Sequence, residues 1–229
     1  MVRPDRRIDL LEYRPLTSSM NLLHRVDGSA RFCFGQTSVI ASVCGPTEVT
    51  TRDEKLDEAT VQVVVRPATG FARTKEKLME SILRTAFEPM ILTGMMPRTL
   101  IELVVQIEKD DGAALSAAIN ALTLALVDAG VPLKGMISST TCIIDKTTDD
   151  LLLDPTHEEI QNAASIHTFA FNPSITTPHT ILTESSGQFS EKQLFECLET
   201  CFTASSKLNG FLRVTVESKK TKEYQQLHE

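Results

Sequence analysis

The chain has 229 residues, of which 41% are hydrophobic and 23% charged, and carries a formal net charge of −7. Such a length buries roughly 70–75% of its unfolded surface, enough for one substantial core or two fused lobes. The acidic balance excludes an isolated, tight nucleic-acid binder, whose footprint is basic, but leaves room for RNA contact along a local basic stripe.

Arg3, Asp5, Arg6, Arg7 and Asp9 interrupt any secretory-signal core, and the apolar run from Ala121 to Val127 is too short for a bilayer, so no membrane association is expected. The cysteines, Cys33, Cys44, Cys142, Cys197 and Cys201, are odd in number and form no C-x-x-C pair, which fits a reduced compartment. Cys197 and Cys201 fall one turn apart on an expected helix and read as apolar packing, because no His–Cys cluster completes a zinc site. No linker-like segment divides the chain, so residues 1–229 read as a single domain.

In chain order, Ala30 to Phe34 and Thr37 to Cys44 predict a hairpin about Gly35-Gln36, with Gly45-Pro46 stopping the second strand. Ala59 to Val65 predicts a third strand, apolar enough at Val61, Val63, Val64 and Val65 to be buried on both faces. A helix follows with Thr74 as N-cap. Its stripe combines Leu78, Ile82 and Ala86 with Met79, Leu83, Phe87 and Met90, and Gly94 is its stop. Leu100 to Ile107 predicts a strand leading into Asp110-Asp111-Gly112 and a second helix, closed by Gly130-Val131-Pro132. That helix shows a face of Ala114, Ala118, Ala121, Leu122, Ala125 and Ala129, small enough to lie close against a sheet.

Met136 to Ile144 and Leu151 to Leu153 predict a second hairpin around the turn Lys146 to Asp150. Thr156-His-Glu-Glu159 is a capping-box pattern, Ser165 to Phe171 and Thr180 to Thr183 are strands, and Ser190-Glu-Lys-Gln193 opens a long final helix. Hairpins and strands precede a helix in both halves, which predicts an α+β fold of two related lobes with sheets packed on helices.

The entrance of the second helix carries the chemical information. A glycine there exposes backbone N–H groups suited to an oxyanion, and real anion sites add a hydroxyl and a cationic fork. Ala113, Ala114 and Leu115 supply neither.

Several stretches resemble the RNase PH family: Asp27-Gly28-Ser29, Val43-Cys-Gly-Pro46 and Leu126-Val-Asp-Ala-Gly-Val-Pro132. Asp154-Pro155-Thr156 with Glu158-Glu159, and Arg66-Pro67-Ala-Thr-Gly70, look like the RNase PH-type ring subunits of the eukaryotic RNA exosome. The resemblance implies a two-lobed β-α fold in a six-membered ring of paired RNase PH-like subunits. Cap proteins top that ring, and single-stranded RNA passes through it. It implies residence in nucleus, nucleolus and cytoplasm.

Active members of the family use inorganic phosphate to attack the 3′-terminal phosphodiester and release nucleoside diphosphates. They bind phosphate with a Gly-Thr-Arg run at the second helix and carry an acidic pair downstream. Carried onto this chain, the Thr position falls on Ala114, the Arg position on Leu115, and the acidic positions near Ile160 and Ile166. Arg73 resembles an arginine that holds phosphate or the RNA terminus. Losing hydroxyl, guanidinium and acidic pair together leaves no useful phosphorolysis, since one oxyanion donor alone is worth about 10²–10³ in rate.

The expected function is therefore a non-catalytic structural subunit of the exosome ring, supporting 3′-to-5′ RNA processing and decay. No catalytic residue, cofactor or metal is assigned. Arg66, Arg73 and Lys75, which flank Gly70, are the candidate RNA-binding residues. Arg73, Lys77 and Arg84 share a helix stripe, but Glu80 on the same stripe offers Arg84 an i,i+4 partner. Two other readings stand beside this one. One is an active or composite-site phosphorolytic 3′-5′ exoribonuclease that uses Arg73. The other is a metal-dependent hydrolase with Asp110, Asp111 and Asp154 as ligands, although Asp110-Asp111 reads as a charged helix entrance and Asp154-Pro-Thr as an ordinary turn. His24, His157, His167, His179 and His228 show no metal spacing and read as structural or exposed. Lys219, Lys220 and Lys222 read as a solvated helix end.

Overall fold

A computed structural model describes residues 3–146, 148–172 and 179–228; the side chains of Leu227 and His228 lie outside the described residues. Among the described residues four α-helices and nine strands follow one another along the chain. The first sheet joins β1 (Leu16–Met20), β2 (Gly28–Phe34), β3 (Thr37–Glu48), β4 (Thr60–Arg66) and β5 (Thr99–Lys109) in the order β1-β2-β3-β5-β4. All its neighbours are antiparallel except β4 and β5. The second sheet joins β6 (Ser138–Asp145), β7 (Leu151–Leu153), β8 (Ala163–Phe171) and β9 (Thr180–Gly187) in the order β7-β6-β8-β9, antiparallel throughout.

Helix α1 (Thr74–Phe87) packs on β4. Helix α2 (Ala114–Asp128) lies against β2 and β3 and also reaches β6 and β8, so it is the layer between the two sheets. A helix in that position is covered on every side. From Ala114 to Leu126 only Leu115 is more than slightly exposed, well beyond the alanine face read from the sequence. Its polar residues are therefore paired inward: Asn120 Nδ2 donates to Ser139 O at 3.0 Å, Asn120 Oδ1 accepts from Ser139 N at 2.9 Å, and Ser116 Oγ lies 2.6 Å from Thr141 Oγ1. Short helix α3 (His157–Asn162) and long helix α4 (Glu191–His228) complete the fold. One continuous core holds Phe32, Val39 and Leu103 of the first sheet together with Ala170, Leu208 and Leu212 from beyond it.

The three stretches that resemble the RNase PH family meet at one corner. Asp27 Oδ2 accepts from Gly45 N at 2.8 Å, and Asp128 Oδ2 accepts from Ser29 N at 3.0 Å. A Cβ on Gly28 would sit 2.2 Å from Ala125 O and 2.4 Å from Ala129 N. These motifs bring a strand into backbone contact with the end of α2.

Several expectations need correction. Strand β3 continues through Gly45-Pro46 to Glu48, with an irregularity between Cys44 and Thr47 that absorbs the proline. Strand β4 is an edge strand, exposed at Gln62 and half-buried at Val64, so only one face is covered. The cap of α1 is Arg73, whose N–H donates to Glu76 Oε2 at 2.7 Å, and the helix ends before Pro89, which lacks the next donor. Leu78, assigned to the buried stripe, is 58% exposed. The sequence reading missed β1. Lys219 is no solvated end residue, for it pairs with buried Asp128 and with Glu223, fastening α4 to the end of α2. The capping boxes hold: Thr156 N donates to Glu159 Oε2 at 2.8 Å, and Ser190 N to Gln193 Oε1 at 2.8 Å.

Candidate functional site

Strand β5 delivers the chain to the entrance of α2, where Gly112 has φ +88 and Ala113 has φ +56. Glycine adopts that left-handed region freely and alanine does not. Ala113, directly before the Ala114 and Leu115 onto which the resemblance carries the family's Thr and Arg, holds a glycine-type conformation. No side chain caps the helix start. Ala113 and Ala114 are each 7% exposed, and Leu115 packs against the core. Ile160 of α3 closes the other side: a Cβ at Gly112 would lie 2.9 Å from Ile160 Cδ1 and 2.5 Å from Pro155 O. Ile160, near which the resemblance carries the first acidic position of active members, thus lies against this entrance with an apolar side chain. Ile166 of β8, near the expected second acidic position, lies opposite Ile143 of β6 and Ser186 of β9.

The carboxylates near the entrance are bound within the chain. Arg14 Nη2 donates to Asp154 Oδ1 at 2.6 Å and Arg14 Nε to Oδ2 at 2.9 Å, while Arg14 Nη1 donates to Asp111 O at 2.8 Å. Burial by itself would depress the Arg14 pKa, but the hydrogen bonds and charge of Asp154, with Asp111 and Asp5 behind them, hold it above its ordinary value. Asp154 is no ordinary turn residue: it is 1% exposed and sits at φ +49.

Arg3 grips Glu159 through two nitrogens, at 2.7 and 2.8 Å, and its Nη1 donates to Leu153 O at 3.0 Å. Arg7 Nη2 donates to Asp154 O at 2.8 Å. Burial works against ionised Glu159, yet Arg3, the Thr156 N–H and the charge of Arg7 together hold its pKa below the usual carboxylate range. Sequence reasoning used Arg3 and Arg7 only as charges and passed over Arg14. No local signal identifies the carboxylate partners of Arg3 and Arg14, which lie roughly one hundred or more residues away in the chain, as the separations of 97, 140 and 156 show.

The ligand set Asp110, Asp111 and Asp154 does not assemble. Asp154 is committed to Arg14, Asp110 Oδ1 accepts from Gly112 N at 3.2 Å, and Asp111 Oδ1 accepts from His157 N at 3.4 Å. Among the described residues no three of His, Cys, Asp and Glu are grouped to hold a metal ion.

Of the basic candidates, Lys75 reaches the turn before α2. Arg66 ends β4 and Arg73 caps α1, both exposed. Lys75 Nζ lies 3.2 Å from Asp110 Oδ2, which ties the start of α1 to the turn before α2. Glu80 does not form the expected ladder with Arg84. It accepts from Lys77 Nζ at 2.8 Å and from Val65 N at 3.0 Å.

His167 is fully buried, with its ring nitrogens 2.9 Å from Ser165 Oγ and 2.9 Å from Ser185 Oγ, and burial lowers its pKa. Cys142, Cys197 and Cys201 are buried free thiols in a second, smaller core with Phe169 and Phe171; contact with Cys197 lowers the pKa of Cys142, but contact with Cys201 and burial outweigh it and raise that pKa.

Comparison with known proteins agrees with this architecture. Residues 12–132 match the 3′ exoribonuclease family, domain 1 (RNase PH), and residues 135–204 match domain 2 of that family. The exosome complex component RRP46 of Saccharomyces cerevisiae is 39% identical over 192 residues, 80% of this chain and 86% of the yeast protein. The exosome complex component rrp46 of Schizosaccharomyces pombe is 37% identical over 184 residues, 79% of this chain and 80% of that one. The crystal structure of rice Rrp46 superposes with a TM-score of 0.88 at 33% identity, covering 94% of this chain and all (100%) of the rice chain. A chain of the Archaeoglobus fulgidus exosome superposes with a TM-score of 0.76 at 19% identity over 91% of each chain, a likeness of fold. The chain belongs to the RNase PH-type 3′ exoribonuclease family.

Proposed function

We propose that this chain is a non-catalytic structural subunit of the RNA exosome core ring, supporting 3′-to-5′ RNA processing and decay in nucleus, nucleolus and cytoplasm. Its partners are other RNase PH-like ring subunits and the cap proteins, with single-stranded RNA passing through the ring. Relatives named as exosome complex components, at 39% and 37% identity, support the assembly. The observation that carries the non-catalytic reading is the apolar entrance of α2, where Ala114 and Leu115 stand at the positions the resemblance gives to the hydroxyl and the guanidinium, and Ile160 near the one it gives to a carboxylate. Buried backbone N–H groups alone cannot replace charge-assisted contacts to phosphate. Arg66, Arg73 and Lys75, all exposed, supply phosphate contacts to passing RNA without cutting it.

The test is release of nucleoside diphosphate from a 3′-labelled single-stranded RNA by the purified chain, with Mg²⁺ and with or without inorganic phosphate. No phosphate-dependent release is expected. Robust release tracking the purified chain would overturn the reading.

A further inference from the structure

Among the described residues Phe71 is the most exposed large apolar side chain, at 93%. It stands on the loop between β4 and α1, and that loop is anchored. Gln106 Nε2 donates to Pro67 O at 2.9 Å at one end, and Arg73 N donates to Glu76 Oε2 at 2.7 Å at the other. Lys75 ties the start of α1 to Asp110. Between these ties Gly70 has φ +83, with nothing within 4 Å of where a Cβ would be. A phenyl ring is thus held out from an open loop on a fixed base.

A single exposed apolar residue needs no explanation by itself. The charge around this one does. The chain as a whole is at −7, yet residues 66–77 carry four cations, Arg66, Arg73, Lys75 and Lys77, against one carboxylate, Glu76; Lys75 and Lys77 pair with Asp110 and Glu80, and among the described residues Arg66 and Arg73 stand outside any ion pair. The ring's neighbours, Gly70 and Ala72, are small and leave both of its faces free. An aromatic ring among cations is the composition of a single-strand platform, where bases stack on the ring and cations follow the phosphates. Duplex RNA keeps its base faces stacked and offers the ring nothing.

We infer that Phe71 is a base-stacking platform for single-stranded RNA, with Arg66, Arg73 and Lys75 holding the flanking phosphates. This rests on the reading of those three cations as RNA contacts. The ring reads no sequence, since every base has a π-face, and it adds affinity that salt does not remove.

The experiment uses the full-length chain and a short single-stranded RNA carrying one 2-aminopurine, beside an abasic strand with the same number of phosphates. Wild type, Phe71→Ala, Phe71→Trp and Arg73→Ala are compared. Phe71→Ala is expected to weaken binding of the base-bearing strand by roughly 5- to 150-fold, the span of one base–aromatic stack. It should leave the abasic strand unaffected and abolish quenching of 2-aminopurine, while Phe71→Trp retains both affinity and quenching. If Arg73→Ala weakens binding and Phe71→Ala does not, the platform is overturned and the cationic RNA contact stands. If wild type binds neither strand, or Arg73→Ala changes nothing, the RNA-contact reading falls and the platform with it. If Phe71→Ala spares RNA binding but prevents co-assembly with ring subunits, the ring is a protein contact and the inference is overturned.

Discussion

Arg14 and Asp154 form a two-pronged ion pair, 2.6 and 2.9 Å, with side chains 4% and 2% exposed, between the entry to the first sheet and the turn before α3. The same guanidinium holds Asp111 O at 2.8 Å, so one side chain links β1, the α2 entrance and the second lobe. Removing one partner of a buried pair leaves the other charge uncompensated, which costs about 3–5 kcal/mol. Arg14→Met and Asp154→Asn should each lower stability by that order in urea unfolding. The double variant should lose clearly less than the sum, because the second change removes the orphaned charge. Additive losses would mean the two residues act independently.

Gly28 and Gly210 give opposite expectations for the same substitution. A Cβ at Gly28 meets backbone atoms at 2.2 and 2.4 Å, which cannot move without separating β2 from α2. Gly28→Ala should therefore cost about 3 kcal/mol or more. Gly210 lies within α4 with nothing inside 4 Å, so Gly210→Ala should stabilise by about 0.5–1 kcal/mol through helix propensity. Urea midpoints of both variants check the contrast, and a neutral Gly28→Ala would refute the close approach.

Stability should fall in two windows as the solution is acidified. His167 has its pKa lowered from 6.5 by burial, so below that pH the unfolded chain takes up a proton that the native chain refuses. Its contribution is complete above pH 6.5 and is lost as pH falls toward the native pKa, at no more than about 1.4 kcal/mol per pH unit. Glu159 has its pKa lowered from 4.5, with burial opposing and Arg3, the Thr156 N–H and Arg7 prevailing. Its contribution is present above 4.5 and lost as pH falls through the depressed native value. His167→Gln should flatten the stability profile just below 6.5, and Glu159→Gln the part below 4.5. Denaturant midpoints measured across pH settle it; an unchanged upper slope in His167→Gln would show that His167 charges freely in the fold.

How much of this was readable in the sequence depended on how local the signal was. The β2–β3 hairpin, the capping box at Thr156 and the Gly130-Val131-Pro132 closure are written within a few residues each, and the structure has them. Strand β1, Leu-Thr-Ser-Ser-Met, has no apolar alternation because its exposure barely alternates, and the reading passed over it. The α2 entrance was legible as a site without ligands, but its closure by Ile160 is a tertiary contact. The arginine clamp was invisible for the same reason. Arg3 is separated from Glu159 by 156 positions and Arg14 from Asp154 by 140, and nothing in either neighbourhood marks the partner. Lys219 looked solvated because its partner, Asp128, ends a different helix.

The three proposed RNA contacts differ in how free their charges are. Arg73 uses its backbone N–H on Glu76 and keeps an exposed guanidinium. Lys75 shares its charge with Asp110 Oδ2 at 3.2 Å, although its side chain is 71% exposed. An RNA phosphate must compete with that carboxylate for Lys75, whereas Arg73 feels the charge of nearby Glu76 but forms no ion pair among the described residues. Arg73→Ala should weaken binding of single-stranded RNA and reduce the slope of log affinity against log salt by about 0.7, one phosphate contact. Lys75→Ala should reduce it by less. Asp110→Asn keeps the oxygen that accepts from Gly112 N but frees Lys75, so it should strengthen binding. Affinities of the full-length chain across a salt series decide the order, and a larger loss for Lys75→Ala than for Arg73→Ala would show that the Asp110 pair gives way to RNA without cost.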